Sequence, residues 1–453
     1  MRSRILGILA LLFLLVAGVL QAADWPQWLG VDREGVWRET GLIEKFPQGG
    51  PKILWRVPMG TGYSGPAVVG DRVYVMDRER AKDEKGQPLR PTREGILGNE
   101  RVLCLNANDG KLIWKHEYDC PYTISYPSGP RTTPLVHQGR VYTLGAMGDL
   151  LCLDAEDGKV RWSKSLLKEY KIESPPVWGW AAHPLIDGDL LYCWAGGEGS
   201  AVVALNKDTG KEVWKALSTQ EVGYSPPMIY EAGGKRQLIV WLSEAIYSLD
   251  PATGQQYWKQ DYPTDRPPQR PAVNIITVRK MKDALFLSTF YHGPMMLKLA
   301  ADKPAASILW KGKSNNPAKP DGLHCLMATP VQKDGYLYGI GSEGEMICCK
   351  ADTGEQLWQT FDATGGKKAA CGTAFLVPQG DRFVIFNDLG DLILAELSPK
   401  GYKEIDRAHI LDAVEDVKQF DRIVVWSHPA FARRCVFARN TKEMVCVSLA
   451  KEQ

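Results

Sequence analysis

The sequence predicts an all-β fold, a single eight-bladed β-propeller. Two observations carry this prediction: one short turn motif recurs along the chain, and the apolar residues between its copies fall into short runs typical of β-strands. In the five clearest copies Gly lies four residues before Trp: CLNANDGKLIW (104–114), CLDAEDGKVRW (152–162), ALNKDTGKEVW (204–214), SLDPATGQQYW (248–258) and CKADTGEQLW (349–358). Such a repeat is typical of one array of similar units and not of several unrelated domains.

Trp residues at the motif position divide the chain into units of 44 to 59 residues. The seven markers are Trp55, Trp114, Trp162, Trp214, Trp258, Trp310 and Trp358. The longest unit contains the charged stretch 78–100, which has no apolar periodicity and predicts a surface loop. Two more units fit after the last marker, and the missing eighth marker is expected near Ile405. Eight units place the propeller at residues 50–453.

Within each unit the pattern predicts four strands. PAVVGDRVYVMD (66–77) and TPLVHQGRVYTLG (133–145) each hold two apolar runs separated by a turn. The residues before the motif supply a third strand, and the run at the Trp supplies the fourth. A lone blade cannot bury both of its faces, so blades stack, and closure of the ring removes exposed sheet edges. We expect the C-terminal MVCVSLAKEQ to close the ring by pairing beside an N-terminal strand.

The recurring motif is interpreted as a fastener between blades. Gly permits the turn and leaves a bare peptide against which an indole ring can stack. The short polar residue before the Gly can hydrogen-bond the turn. The residues assigned this structural docking role are the seven Trp markers together with Gly110, Gly158, Gly210, Gly254 and Gly354.

Charge and the N-terminus limit the possible functions. The 55 Lys and Arg residues nearly balance 53 Asp and Glu residues, which argues against a protein built to bind nucleic acid.

Residues 1–23 combine Arg2 and Arg4 with an apolar run and a small-residue end, which predicts a signal peptide. The run is shorter than the ~20 residues of a spanning helix. We therefore expect a periplasmic or otherwise exported monomer with no transmembrane segment in the mature chain; a retained anchor is the alternative.

The ten Cys residues do not predict a disulfide framework. Cys104, Cys152 and Cys348 share one position in the repeat with Ala204 and Ser248. A position that accepts Cys, Ala or Ser favours a small buried side chain. Cys120, Cys325, Cys371 and Cys435 are among the Cys residues outside this position, and no pairing is assigned to them.

The motif resembles Ala-x-Asp-x-x-Thr-Gly-Lys-x-x-Trp, the tryptophan-docking motif of the pyrroloquinoline quinone (PQQ)-like repeat propellers. ALNKDTGKEVW (204–214) and SLDPATGQQYW (248–258) match it closely, and CLDAEDGKVRW (152–162) replaces Ala by Cys and Thr by Asp. The resemblance covers residues 50–450. It implies an eight-bladed propeller of a class that includes the quinoprotein alcohol dehydrogenases and BamB, a cofactor-free outer-membrane assembly factor. The chain is most similar to the BamB-like exported bacterial proteins.

The dehydrogenases of this class imply a quinone between a Trp and a vicinal Cys pair, with Ca²⁺ held by Glu, Asn and Asp. Cys348 and Cys349 are adjacent, but they lie in a predicted strand, so their side chains are expected on opposite faces. No Asp/Asn/Glu cluster with Ca²⁺-loop spacing and no HExxH or CxxC pattern is visible. We therefore expect no cofactor, no metal site and no catalytic residue, with PQQ and Ca²⁺ as the alternative.

Candidate binding residues lie in segments that follow each Trp strand. These segments include SYPSGPRTTP (125–134), PPVWGWAAHP (175–184) and WSHPAF (426–431), and in a propeller they can meet at one mouth of the central channel. Their large polar or aromatic side chains suit an acidic or carbohydrate ligand or an extended peptide. The alternative is that they fill the channel and hydrogen-bond the loops. The candidates are Arg131, Trp180, His183, Tyr224, His324 and His428.

The segment before the first blade, residues 24–49, is predicted to cap one face of the ring, and an aromatic recognition arm is the alternative. It carries Trp25, Trp28 and Trp37. Taken together, the sequence favours an exported binding or scaffold propeller over an enzyme, with a protein or glycan partner in the cell envelope. A PQQ-dependent dehydrogenase and a carbohydrate-binding propeller are the alternatives.

Overall fold

The described residues, 23–262 and 273–451, form eight four-stranded antiparallel sheets and one two-stranded sheet in this computed structural model. The eight sheets are the blades of a β-propeller, and the predicted fold class is confirmed. Of the predicted signal peptide, only Ala23 lies within the described residues. No helix in this part of the chain has the length and apolar character needed to cross a membrane.

Each of blades 1 to 7 is a meander of four consecutive strands, whereas β1 (Lys52–Pro58) joins the last blade. Blade 1 contains β2 (Ala67–Val69), β3 (Arg72–Arg80), β4 (Gly98–Asn106) and β5 (Leu112–Asp119). Blade 2 contains β6 (Leu135–His137), β7 (Arg140–Leu144), β8 (Asp149–Asp154) and β9 (Val160–Ser165). A short helix α1 (Leu166–Glu169) follows. Blade 3 contains β10 (Leu185–Asp187), β11 (Leu190–Trp194), β12 (Val202–Asn206) and β13 (Glu212–Ala216). Blade 4 contains β14 (Met228–Ala232), β15 (Lys235–Trp241), β16 (Ala245–Leu249) and β17 (Gln256–Asp261).

Blades 5 to 7 continue this pattern. They contain β18 (Arg279–Met281), β19 (Ala284–Thr289), β20 (Gly293–Leu299), β21 (Ala306–Lys311); β22 (Val331–Lys333), β23 (Tyr336–Ile340), β24 (Met346–Lys350), β25 (Gln356–Thr360); and β26 (Ala374–Gln379), β27 (Arg382–Asn387), β28 (Asp391–Ser398), β29 (Gly401–His409). A hairpin of β30 (Glu415–Val417) and β31 (Arg422–Val424) precedes blade 8, which holds β32 (Ala430–Ala432), β33 (Cys435–Arg439) and β34 (Glu443–Ser448). Single 3₁₀ turns lie at Asp362–Thr364 and Lys418–Phe420.

The ring is closed by strands from both ends of the chain. Strand β1 pairs antiparallel with β34, with Lys52 opposite Ser448 and Trp55 opposite Cys446. The expected pairing of the C-terminal segment with an N-terminal strand is therefore confirmed. Closure satisfies edge hydrogen-bonding groups that would otherwise be open to pairing with another chain.

The cross-strand register explains why the first residue of the motif is small. In blade 1 Cys104 lies opposite Trp114 on one side and opposite Tyr74 on the other. Because Cys104 is small and fully buried, the two flanking rings approach to a centroid distance of 6.0 Å. The equivalent positions opposite Trp are held by Cys152, Ala204, Ser248 and Cys348.

The Trp at the end of a motif lies against the turn of the next blade. The indole of Trp55 packs on Gly110 and donates its N–H to the carbonyl of Ala107 at 2.9 Å. Equivalent contacts join Trp114 to Gly158, Trp162 to Gly210, Trp214 to Gly254 and Trp310 to Gly354. These five glycines have φ of 68–74°, and a Cβ atom on any of them would lie 2.5–2.9 Å from indole atoms. Any other residue would therefore combine backbone strain with a clash.

Two Trp markers lack a Gly partner because the next turn has another sequence. Trp258 donates its indole N–H to the side-chain oxygen of Gln237 in its own blade, at 2.7 Å. Trp358 donates to the carbonyl of Ser398 in the next blade, at 2.9 Å.

The marker expected near Ile405 is Asp406, the next residue. Asp406 lies opposite Leu394 in the register position that Trp holds in the other blades. Its carboxylate accepts the backbone N–H of Phe46 at 2.8 Å. A charged group bound to the N-terminal segment thus replaces the indole at this junction.

The predicted surface loop at 78–100 is shorter than expected. Strands β3 and β4 extend into it, with Arg78 opposite Glu100, and both side chains are buried. Glu100 accepts hydrogen bonds from the hydroxyls of Tyr118 and Tyr122. Such local partners allow charged residues to continue a strand, which charge patterning alone did not indicate.

All ten Cys residues, which lie in the described part of the chain, are free and buried. Cys348 and Cys349 occupy successive positions of β24 and belong to different apolar clusters, one on each face of the blade. This matches the expected opposite orientation of the pair.

The N-terminal segment crosses the inner strands of several blades. Trp25 pairs through its backbone with Val68 of β2, and the backbone N–H of Trp37 donates to the carbonyl of Pro378 of β26 at 2.9 Å. Trp25, Trp28 and Trp37 are all buried. The segment predicted to cap the ring thus lies across its inner strands.

Replacing Trp114 with Ala should lower the free energy of unfolding by about 3–5 kcal/mol, because it removes a buried indole and its hydrogen bond to the next blade. Urea unfolding followed by circular dichroism measures this change. Leu112→Ala is the matched control, since Leu112 lies on the same strand and is 55% exposed; its expected effect is within about 0.5 kcal/mol. Equal losses in the two variants would contradict the interblade role of Trp114.

Candidate binding site

The connections between blades converge on one cavity of about 380 Å³. Every one of the eight connections contributes at least one lining residue, which places the cavity at the centre of the ring. A volume of this size is in the range of sites for small organic ligands. Besides Trp28, the lining includes Tyr63, Tyr126, Arg131, Trp178, His183, Tyr224, Ile275, Phe290, Leu326, Met327, Cys371, Phe375, Trp426 and His428.

Five rings form a continuous belt along one wall of the cavity. In order they are Tyr63, Trp426, Tyr126, Trp178 and Tyr224, and successive ring centroids are 6.3, 6.0, 6.4 and 5.1 Å apart. Each ring comes from a different connection between blades, so no single sequence segment carries the belt. Four of the five are only partly buried, so their faces are accessible to a ligand.

The remaining wall is apolar. It is formed by connections that enter blades 5, 6 and 7 and by the turn between β19 and β20. Its side chains include Ile275, Leu326, Met327, Phe290 and Phe375. The cavity therefore lies between the aromatic belt and this apolar wall.

Arg131 is the charged residue of this lining, as far as the described residues show. Its guanidinium donates to the carbonyl oxygens of Ser125 at 2.9 Å and Tyr126 at 2.7 Å, and also to that of Gly129. The guanidinium carbon lies 5.3 Å from the ring centroid of Tyr63. These contacts hold the cation in place without a carboxylate.

The floor of the cavity is built on Trp28 from the N-terminal segment. The ring of His183 stacks on Trp28 at 4.2 Å, and the ring of His428 meets it edge-on at 4.4 Å. The backbone N–H of Thr133 donates to Nδ1 of His183 at 2.9 Å, and the Thr133 hydroxyl contacts Nε2 of His428 at 2.5 Å.

Both floor histidines are neutral at pH 7. Burial, with His428 and Arg33 acting in the same direction, holds the pKa of His183 well below its ordinary value. Burial lowers the pKa of His428 to about 3. His183 also accepts the backbone N–H of Thr133 at Nδ1, which requires that this nitrogen carries no proton.

The structure brings four of the six predicted binding residues together. Arg131, His183, Tyr224 and His428 line the cavity.

The other two predicted residues pack in the scaffold. Trp180 is 2% exposed, lies on Gly148 and donates its indole N–H to the carbonyl of Ala195 at 3.1 Å. His324 is fully buried and its Nδ1 lies 3.1 Å from the carbonyl oxygen of Phe290. Neither Trp180 nor His324 lines the cavity.

Sequence reasoning missed most of the aromatic belt. Trp178 lies two residues from Trp180, and Gly179 between them has φ of 72°, so the chain turns and the two indoles part. Tyr63, Tyr126 and Trp426 lie in the segments already singled out as channel-facing. Size and polarity do not show which side chain of a loop faces inward.

The lining does not fit the PQQ and Ca²⁺ site that the alternative function requires. The described lining offers no carboxylate, whereas Ca²⁺ takes six to eight oxygen ligands that usually include carboxylates. No group of three or more His, Cys, Asp or Glu side chains in the described residues could hold a metal ion. The vicinal Cys348 and Cys349 lie inside a blade, and the cavity is lined by one Cys, Cys371.

Two solved structures with TM-scores above 0.5 agree with this fold. BamB from Moraxella catarrhalis is 16% identical, with a TM-score of 0.53 over 82% of this chain and 98% of that chain. The computationally designed protein Ika8 is 12% identical, with a TM-score of 0.54 over 88% and 100%. The quinohemoprotein alcohol dehydrogenase from Comamonas testosteroni is 13% identical, with a TM-score of 0.47 over 82% and 76%. No curated protein matches the sequence significantly.

The sequence also matches a protein-family model described as outer membrane protein assembly factor BamB. The two matches cover residues 98–292 and 243–453, which together exceed half of the chain. With the eight blades of the fold, they show that the chain belongs to this BamB-like family of PQQ-like repeat β-propellers.

Proposed function

We propose that this protein is an exported binding propeller of the cell envelope that holds an apolar or ring-bearing group of its ligand in the axial cavity, without a bound cofactor. The observation that carries this proposal is a cavity of about 380 Å³ in which the belt of five rings faces the apolar wall. Such a surface stabilises a bound ring by contact area and by ring stacking.

The titratable groups of the lining favour binding over catalysis. Burial raises the pKa of the Cys371 thiol to about 12, so little thiolate forms at neutral pH. The pKa of the Tyr224 hydroxyl is also raised, by burial and by the carboxylate of Glu221. Because burial holds the floor histidines neutral and keeps Cys371 and Tyr224 protonated, these described groups are poorly matched to acid–base catalysis near neutral pH.

Membership of the BamB-like family supports a role in the envelope. The family model is described by an outer-membrane assembly factor, and the predicted signal peptide at residues 1–23 would deliver the chain to the same compartment. A protein partner that inserts an aromatic side chain fits the cavity. A glycan is the second candidate, favoured by the partly exposed Trp178 and Trp426.

Titration of the purified mature protein with PQQ, with and without Ca²⁺, tests the cofactor-free part of the proposal. We expect no saturable heat of binding and no rise in the melting temperature, because the lining lacks the oxygen ligands for Ca²⁺. One-to-one binding that depends on Ca²⁺ would contradict the proposal and favour the dehydrogenase alternative.

A neutral ring compound, 2-naphthol, tests the cavity itself. We expect saturable one-site binding by isothermal titration calorimetry and its loss in Met327→Trp, because the larger side chain fills the cavity. Ile423→Trp is the matched control, since Ile423 is 57% exposed and does not line the cavity. Retained binding in Met327→Trp would place the ligand elsewhere.

The neutral floor gives a pH prediction. The unfolded chain protonates His428 below about pH 6.5, but the folded chain does so only near pH 3. The unfolded state therefore binds more protons in this window, and stability falls as the pH is lowered. We expect His428→Gln to flatten the fall in melting temperature between pH 7 and 5, since Gln can still bond Thr133.

His409→Gln is the control of opposite sign for this experiment. A hydrogen bond to Asp391 raises the pKa of His409, so this residue stabilises the fold at low pH. Its removal should steepen the dependence slightly, because the side chain is about half exposed. An unchanged slope in His428→Gln would contradict the neutral state assigned to the floor.

A further inference from the structure

We propose that the axial cavity selects a small ring-bearing monoanion, such as an aromatic carboxylate, whose negative group binds at Arg131. This inference rests on the proposed function and specifies its ligand. It follows from the position of Arg131, the charged residue of the described lining, among side chains that are mainly aromatic or aliphatic.

The charge of Arg131 has no acidic partner. No carboxylate in the described residues lies within 4.0 Å of its guanidinium nitrogens, whereas Arg101 and Arg422 bind Asp77 and Asp388 at 2.6 and 2.8 Å. Backbone carbonyls accept three of the five N–H groups that a guanidinium carries. The Nε–H and one Nη1–H are left for an anion, and a carboxylate can accept a charge-assisted hydrogen bond from either of them.

The carboxylates nearest to the belt are bound to its hydroxyl groups. Glu415 accepts the hydroxyl of Tyr63 at 3.0 Å and that of Ser128. Glu221 accepts the hydroxyl of Tyr224 at 2.7 Å. These acids lie behind the rings and outside the lining, so they orient the belt and leave the cation unneutralised.

The belt fixes where the ligand ring lies relative to the charge. The Arg131 guanidinium lies over Tyr63, and its hydrogen bond to the carbonyl of Tyr126 ties it to the middle of the belt. Trp426 lies between these two rings, and its buried indole N–H has no acceptor in the described part of the chain. A ring on the belt therefore has a cation beside it and an additional unpartnered donor nearby.

The rest of the lining does not compete for the anion. His183 and His428 are neutral, and Thr133 occupies a ring nitrogen of each. Arg33, a second cation near the floor, does not line the cavity and donates to the carbonyl oxygens of Pro184 and His183. Among the described residues, charge selection thus depends on Arg131, and removal of this side chain should abolish it.

Three naphthalene probes of similar size test this inference at pH 7: 2-naphthoate, neutral 2-naphthol and the cation 2-naphthylmethylamine. By isothermal titration calorimetry we expect 2-naphthoate to bind about tenfold or more tightly than 2-naphthol, because a charge-assisted hydrogen bond contributes about 1.5–3 kcal/mol. The cation should bind most weakly.

Arg131→Gln should remove the preference for 2-naphthoate, so that 2-naphthoate and 2-naphthol bind with affinities within about threefold of each other, because the cation that distinguishes them is lost. Arg131→Lys should retain part of the preference, because it keeps the charge but not the planar array of N–H donors. Arg90→Gln, which makes the same charge change at an exposed position, should behave as the unmodified protein.

The outcomes separate the two proposals. Equal binding of 2-naphthoate and 2-naphthol, or an unchanged preference in Arg131→Gln, would overturn the anion inference and leave the cavity as a binding site for neutral rings. Failure of all three probes to bind would overturn the proposed function itself. A thermal melt of each variant shows whether it has folded before the affinities are compared.

Discussion

The structure depends on one contact, the indole of one blade lying on the bare peptide of a Gly in the next. At the Trp114–Gly158 junction this contact combines a buried ring with an N–H donated to the carbonyl of Ala155 at 3.1 Å. The hydroxyl of Tyr74 donates to the same carbonyl, also at 3.1 Å. Because each contact joins neighbouring blades at a fixed height, its repetition sets the angle and stagger of the ring. The size of the central cavity follows from that angle.

The cavity gains its character from the way the chain enters each blade. Every connection arrives at an inner strand, so one to four side chains of each line the cavity at the axis. The connections into blades 1 to 4 and 8 bring rings and Arg131, while those into blades 5 to 7 bring mainly aliphatic groups and Phe375. The N-terminal segment completes the floor with Trp28, whose indole N–H is bound by Thr277 at 2.9 Å. An asymmetric site therefore arises within a nearly symmetric scaffold.

Burial decides the chemistry of this site more than residue type does. Histidine and cysteine are common catalytic groups, yet here burial holds His183 and His428 neutral and keeps the Cys371 thiol protonated. Arg131 keeps its charge at the cavity surface because backbone carbonyls solvate it. The described lining is consequently suited to distinguishing ligands by shape and charge.

The sequence by itself determined the number of blades and most of the residues that pack between blades, because these features recur at each unit and depend on neighbours close in the chain. It also located the segments that meet at the axis. Only the tertiary structure decided that Trp178 faces the cavity while Trp180 packs against Gly148. It also decided that Asp406 takes the place of an eighth Trp. Those outcomes depend on a single turn at Gly179 and on contacts with segments hundreds of residues away. Local pattern carries no information about such distant partners, so orientation at the axis had to come from the folded ring.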